Sequence, residues 1–418
     1  MRFCMVTTFY PPHHFGGDAI FVRALSRALV ERGHDVEVVH CEDAYRALGG
    51  VPRASLEEDD ERDGVVIHRL RTRLGILSPL VTQQTGTPGL KAARLRAILA
   101  RDFDVVNFHN ISLVGGPDVL TMSAAPVTLY TLHEHWLVCP THVLWKNRAR
   151  TCDRPECLRC CVRSGIPPQL WRYTGLVERS LEAVDLLLSP SRYTADRHVA
   201  AGVKRPIRVL PSFSCLEPSA SAERARPTGG RARFLYAGRI TASKGIAELI
   251  DELAVLPGVE LLVAGEGDLR PALERRWSGA THVRFLGARP QSELAALYAS
   301  ATALIVPSLA PEVFPLAVIE ALACGTPVIG RDAGGTREAI EQTGGGIVYR
   351  TAAELRAAVR ALAFNDDLRD RLAERARSGY RRHYARERYL DAYLAVVAEV
   401  AAERTTRPQP VREAVHGA

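Results

Sequence analysis

Short apolar strands and helices alternate from residue 2 onward, and the same alternation starts afresh at residue 233. In the first pass, residues 2 to 8 read as a strand and Tyr10 to Asp18 as a loop. Ile20, Ala24, Leu25, Ala28 and Leu29 then keep helical spacing up to Gly33, which is placed to end that helix, and residues 35 to 40 form the next strand. In the second pass, residues 233 to 237 lead through Lys244-Gly245 into a helix, and strands follow at 259–264, 283–286 and 303–306. Alternation at such short intervals predicts an α/β fold with parallel, doubly wound sheets. A chain of 418 residues exceeds one ordinary core, so two Rossmann-like domains of about 200 residues each are expected. Residues 212–231, rich in Pro, Ser, Gly and Arg, mark the clearest linker. The expected division is 1–211, linker 212–231, 232–382, a closing helix 383–402, and a disordered tail 403–418 with little apolar content.

Composition narrows the partners. A net charge of +7 suits anionic ligands, and because it is spread over many Arg and forms no runs, it argues against nucleic acid. No apolar span reaches the roughly 18 residues of a membrane helix, and the apolar start is too short for a signal peptide. A cytoplasmic location is expected. A helix near 90–99 carries Lys91, Arg94 and Arg96 beside Leu95, Ile98 and Leu99, which fits a solvated face or peripheral contact with an anionic membrane. Residues 42–63 read as a polar surface loop and 72–89 as loop-rich.

The stretch Glu312 to Glu320, Glu-Val-Phe-Pro-Leu-Ala-Val-Ile-Glu, carries two carboxylates eight residues apart. Pro315 can occupy the first helical turn, leaving Glu312 in the preceding loop and Glu320 on the helix. Free N–H groups at such a helix start suit a phosphate. Arg239 and Lys244 lie just past a strand's carboxyl end, where cations oppose the helix dipole unless an anion is present. His133 ends the strand at 126–132, where side chains face the ligand crevice. Gly16-Gly17 would let backbone approach a ligand. Gly265-x-Gly267 reads as a structural turn, and Gly334-Gly335 as a turn or a pocket wall.

These landmarks resemble the retaining GT-B glycosyltransferases of family four, also called glycosyl transferases group 1, over nearly the whole chain. The resemblance implies two Rossmann-like domains facing each other across a cleft, with the closing helix crossing back to the first domain. It implies transfer of a hexosyl or N-acetylhexosaminyl group from a nucleoside-diphosphate sugar, UDP favoured, to an unidentified small-molecule, lipid or glycan acceptor with retention. By the same resemblance His133 and Glu312 flank the transferred sugar, Arg239 and Lys244 hold the diphosphate, and Glu320 holds the ribose. Gly17, Phe314, Pro315 and Leu316 complete the donor site. Where the family often has Gly, this chain has Pro315. No cofactor is needed for catalysis in this scheme.

Five of nine cysteines cluster between 139 and 161. Cys139, Cys152, Cys157 and Cys160 offer a structural thiolate site for zinc, with Cys161 or His142 as substitutes; free thiols and an iron–sulfur cluster remain alternatives. Two other functions stay open, a non-catalytic sugar-nucleotide binder and a metal- or redox-sensing protein on the same scaffold.

Overall fold

A computed structural model describes residues 1–51, 57, 59–216 and 231–406. The strands of the first half are β1 (Arg2–Val6), β2 (Asp35–Cys41), β3 (Asp59–Arg62), β4 (Val65–Leu70), β5 (Val105–Phe108), β6 (Val127–Thr131), a small ribbon β7 (Trp145–Lys146) and β8 (Arg150–Thr151), then β9 (Leu186–Ser189) and β10 (Ile207–Val209). The second half contributes β11 (Ala232–Ala237), β12 (Val259–Ala264), β13 (Val283–Gly287), β14 (Ala303–Val306), β15 (Val328–Arg331) and β16 (Gly346–Tyr349). The first sheet runs β10-β9-β6-β5-β1-β2-β4-β3 and the second β13-β12-β11-β14-β15-β16. Every pairing in them is parallel except β3 with β4. Helices cover both faces, so the central strands are unbroken apolar runs: Phe3, Cys4, Met5 and Val6 of β1 are all fully buried.

Each sheet reverses its winding beside its first strand, between β1 and β5 and between β11 and β14. Loops leaving the carboxyl ends of strands on either side of such a point diverge and open a crevice. The two crevices face each other, and this sets which residues can meet.

Hydrogen bonds and the final helix tie the halves together. Ser191 Oγ donates to the Val313 carbonyl at 2.6 Å, and the Arg192 and Tyr193 amides donate to the Glu338 carboxylate at 2.8 and 2.5 Å. The final helix, Arg386–Thr406, crosses back to bury Tyr389, Leu390, Tyr393, Val396 and Val397 in the core under the first sheet. Tyr393 accepts from Asn107 Nδ2 at 3.1 Å there.

Several local expectations are corrected. The supposed surface loop 42–63 contains the helix Glu42–Ala47 and the edge strand β3. Two of its acids are not solvated: Glu42 is fully buried against Arg46 and Arg71, and Asp43 accepts from Thr72. The stretch 72–89 holds a helix, Leu77–Thr85. Lys91, expected on a basic surface, is buried, its Nζ donating to Thr82 Oγ1 at 2.7 Å, so the adjoining helix presents one cation fewer. Pro315 precedes its helix in an extended conformation, and the helix begins at Leu316. Residues 403–406 of the expected tail continue the last helix; the rest of that tail and linker residues 217–230 lie outside the described residues.

Candidate active site

The facing crevices enclose a cleft of about 1580 Å³. His133, Gly17, Arg239, Lys244, Glu312, Phe314, Pro315, Leu316 and Glu320 all line it, although they come from four separate stretches of the chain. On the second domain's side, Lys244 Nζ stands 2.5 Å from Glu312 Oε1, and Ser308 Oγ donates to the same oxygen. Burial raises the Glu312 carboxyl, but the Lys244 charge and hydrogen bond, with Ser308 and Arg239, outweigh it and hold the group below the usual carboxylate range. Glu312 therefore stays ionised. Arg239 is exposed to the cleft, and its side chain has no ion pair among the described residues. An anion entering here meets one unpaired cation and one cation it would share with Glu312.

Glu320 is in a different setting. It lies on the helix Leu316–Ala323 with its carboxyl nearly buried, accepting from the Tyr298 hydroxyl at 2.9 Å. Burial pushes its carboxyl up to about 7, and the Tyr298 bond offsets this only in part. Two carboxylates eight residues apart thus have opposite titration, one paired with a cation and the other almost dry.

Glycines hold this wall in place. A Cβ on Gly334 would lie 2.1 Å from the Glu312 carbonyl oxygen, and the Gly335 amide donates to that oxygen at 2.7 Å. The Gly334-Gly335 pair thus holds the Glu312 loop and does not line the cleft. Gly265 and Gly267 abut the backbone of Gly238 and Ile240, where Cβ atoms would come within 1.9 and 2.3 Å of carbonyl oxygens, so this Gly-x-Gly packs loop against loop. Gly17, from the first domain, leaves room for Leu316, whose Cδ1 would sit 3.0 Å from a Cβ there.

On the first domain's side, His133 Nε2 lies 2.9 Å from His109 Nδ1, and His109 Nε2 lies 3.5 Å from Met5 Sδ. Both imidazoles are held well below their usual titration range, chiefly by burial, and are neutral. A second network was missed from sequence. Asn110 Nδ2 donates to Asp18 Oδ2 and Glu134 Oε2, each at 3.3 Å, and His142 Nδ1 lies 2.6 Å from Glu134 Oε2. The available signal was Glu134 directly after His133 and Asp18 directly after the Gly16-Gly17 pair.

The cysteine insertion adjoins this wall, and its residues 140–143 line the cleft. Cys139, Cys152, Cys157 and Cys160 line one cavity of about 240 Å³, while Cys161 is buried outside it. The helix Cys157–Arg163 places Cys157 and Cys160 one turn apart, and the Asn147 amide donates to Cys160 Sγ at 3.3 Å. Among the described residues, no group of three or more His, Cys, Asp or Glu is drawn together as a metal site. His142, the alternative ligand, faces Glu134 in the cleft.

Comparison with known proteins agrees with this geometry. Residues 15–213 match the model of Glycosyltransferase Family 4, and residues 221–379 match that of Glycosyl transferases group 1. The glycogen synthase of Mycobacterium tuberculosis is 27% identical over 90% of this chain and 89% of its own length. In fold, the chain is similar to a sucrose-phosphate synthase from Thermosynechococcus elongatus, with a TM-score of 0.74 at 20% identity over 96% and 99% of the two chains. It is likewise similar to Anabaena HepE in complex with UDP, with a TM-score of 0.63 at 16% identity over 96% and 100%. Two facing Rossmann-like halves, a ligand-sized cleft at both switch points and matches spanning both halves lead to one assignment: the chain belongs to the GT-B glycosyltransferases of group 1, family four.

Proposed function

We propose that this glycosyltransferase takes its sugar from a nucleoside-diphosphate sugar, with UDP as the nucleotide, and transfers it with retention of anomeric configuration. The observation that carries the reading is the second domain's wall, where Arg239, the Lys244–Glu312 pair and the start of the helix at Leu316 surround one space next to Glu320. Breaking the anomeric C–O bond develops negative charge on the departing diphosphate, which preorganised cations and helix N–H groups stabilise. Arg239 and Lys244 would take the diphosphate, Glu312 the sugar hydroxyls and Glu320 the ribose. His133, neutral and anchored by His109, would sit beside the sugar. The pair at Gly17 and Leu316, with Phe314 and Pro315, would close the site and limit donor hydrolysis by water. In this scheme the acceptor attacks from the leaving group's own face and passes its proton to the diphosphate. The bound UDP of HepE supports the choice of nucleotide.

The test is calorimetry with UDP, GDP, ADP and dTDP on wild type and Glu320→Ala. UDP should bind tightest, and removing the ribose acceptor should cost about 1.5–3 kcal/mol. Failure of all four to bind folded protein would remove the donor site. The anomer formed on turnover, read by NMR, decides retention.

A further inference from the structure

The cleft is electrostatically one-sided. The chain carries 54 Lys and Arg, yet among the described residues lining the cleft from the first domain there is none. The two charged groups on that wall are carboxylates, Asp18 and Glu134. Both are joined through Asn110, and Glu134 also engages His142. Glu134 Oε1, on the same carboxylate, is buried without a partner. Behind it His135 is fully buried with neither ring nitrogen partnered, and it borders the same wall. A buried acceptor atom left open costs free energy unless something donates to it. Next to this network the wall turns apolar, with Ile76, Leu77 and Leu80 about half exposed at the mouth.

A phosphorylated or carboxylated acceptor entering here would meet like charge and no cation, a juxtaposition that costs several-fold to many-fold in affinity. A hydroxyl or ammonium group would instead meet the Asp18 and Glu134 carboxylates, with an apolar patch for a ring face. We infer that the acceptor meeting the first domain's wall is a hydroxylated molecule, neutral or amine-bearing and free of phosphate or carboxylate where it enters the cleft, held through Glu134 and Asp18. The inference rests on the glycosyl-transfer reading above. In the step it implies, the sugar's anomeric carbon loses its bond to the diphosphate oxygen and gains one to the acceptor oxygen. The acceptor's hydroxyl proton leaves with the diphosphate.

The experiment uses full-length protein saturated with UDP and matched probes: glucose, glucosamine, the corresponding sugar phosphate, inositol and inositol phosphate. Binding is read by saturation-transfer NMR and competition. Neutral and amino probes should bind and the phosphates should bind more weakly than their parents. Glu134→Gln should cut the amine's advantage over the neutral sugar by about tenfold, the worth of one charge-assisted bond. Asp18→Asn serves as the second variant if Glu134→Gln fails to fold. A phosphate that binds tighter than its parent overturns the inference, as does an amine preference untouched by either change. Failure of every probe to bind also overturns it. UDP binding by the wild-type protein is the separate check: its absence counts against the donor reading, and its presence with no probe bound counts against this inference alone.

Discussion

Changing Glu320 to Gln probes the donor site at its most perturbed group. The folded carboxyl titrates at about 7 because it is buried, against 4.5 for the unfolded chain. Its folded value is the higher one, so its contribution to stability is complete below the unfolded value and is lost as pH rises through about 7. The gap corresponds to about 3 kcal/mol by pH 8, the cost of ionising a nearly dry carboxyl. Glu320→Gln should therefore stabilise the ligand-free protein by about 3 kcal/mol at pH 8 and by less than about 1 kcal/mol at pH 5. Nucleotide reverses the preference, since ribose hydroxyls donate to the ionised form. UDP binding at pH 6 should then release about 0.9 proton, and affinity should fall toward about tenfold per pH unit below 7. Denaturant melts at both pH values and calorimetry in two buffers of different ionisation enthalpy measure these quantities. The Gln variant serves as the reference that removes the diphosphate's own ionisation. A Gln variant no more stable than wild type at pH 8, with proton release identical in the two proteins, would mean that Glu320 is not a buried, raised carboxyl that UDP ionises.

Three further outcomes are expected. Lys244→Met leaves Glu312 without its cation and should destabilise the second domain by about 3 kcal/mol, as breaking a partly buried pair does, while abolishing UDP binding in calorimetry; a variant that melts like wild type would count against the pair. Gly334→Ala forces a left-handed residue (φ 68°) to carry a Cβ into the Glu312 carbonyl, so a loss of about 2 kcal/mol and a weakened donor site should appear together in melts and UDP titrations. For the cysteine insertion we propose that the thiols around the shared cavity close on a structural metal. Protein purified without added metal should then carry about one equivalent of zinc, lost in the Cys152→Ser, Cys160→Ser double variant, and a content below about half an equivalent refutes the proposal.

Alternation of strands and helices, read from residues such as Phe3 to Val6 and Ile20 to Leu29, was enough to identify the fold, because a strand buried on both faces must be continuously apolar and its crossover helix must be periodic. The donor wall was legible for a similar reason. Arg239, Lys244 and Glu312 follow strand ends, which in a doubly wound sheet face the crevice, and Glu320 lies on the helix that leaves one of these loops. Sequence misjudged the segments whose polar residues satisfy one another internally: Glu42 with Arg46 and Arg71, and Lys91 with Thr82, read as solvated charges because their partners are brought in by packing.

The order of residues along the chain is enough for the architecture and the chemical inventory of each strand end. How those inventories act is set by packing in three dimensions. It paired Glu312 with Lys244, 68 residues away, and so kept it charged, while it dried Glu320 eight residues on and raised it. It also joined Asp18, in the first turn of the helix Gly17–Glu31, with Asn110 and Glu134 into one wall that has no Lys or Arg among the described residues. Burial and charge proximity set both results, and neither is a property of positions along the chain until two sheets bring their switch points face to face.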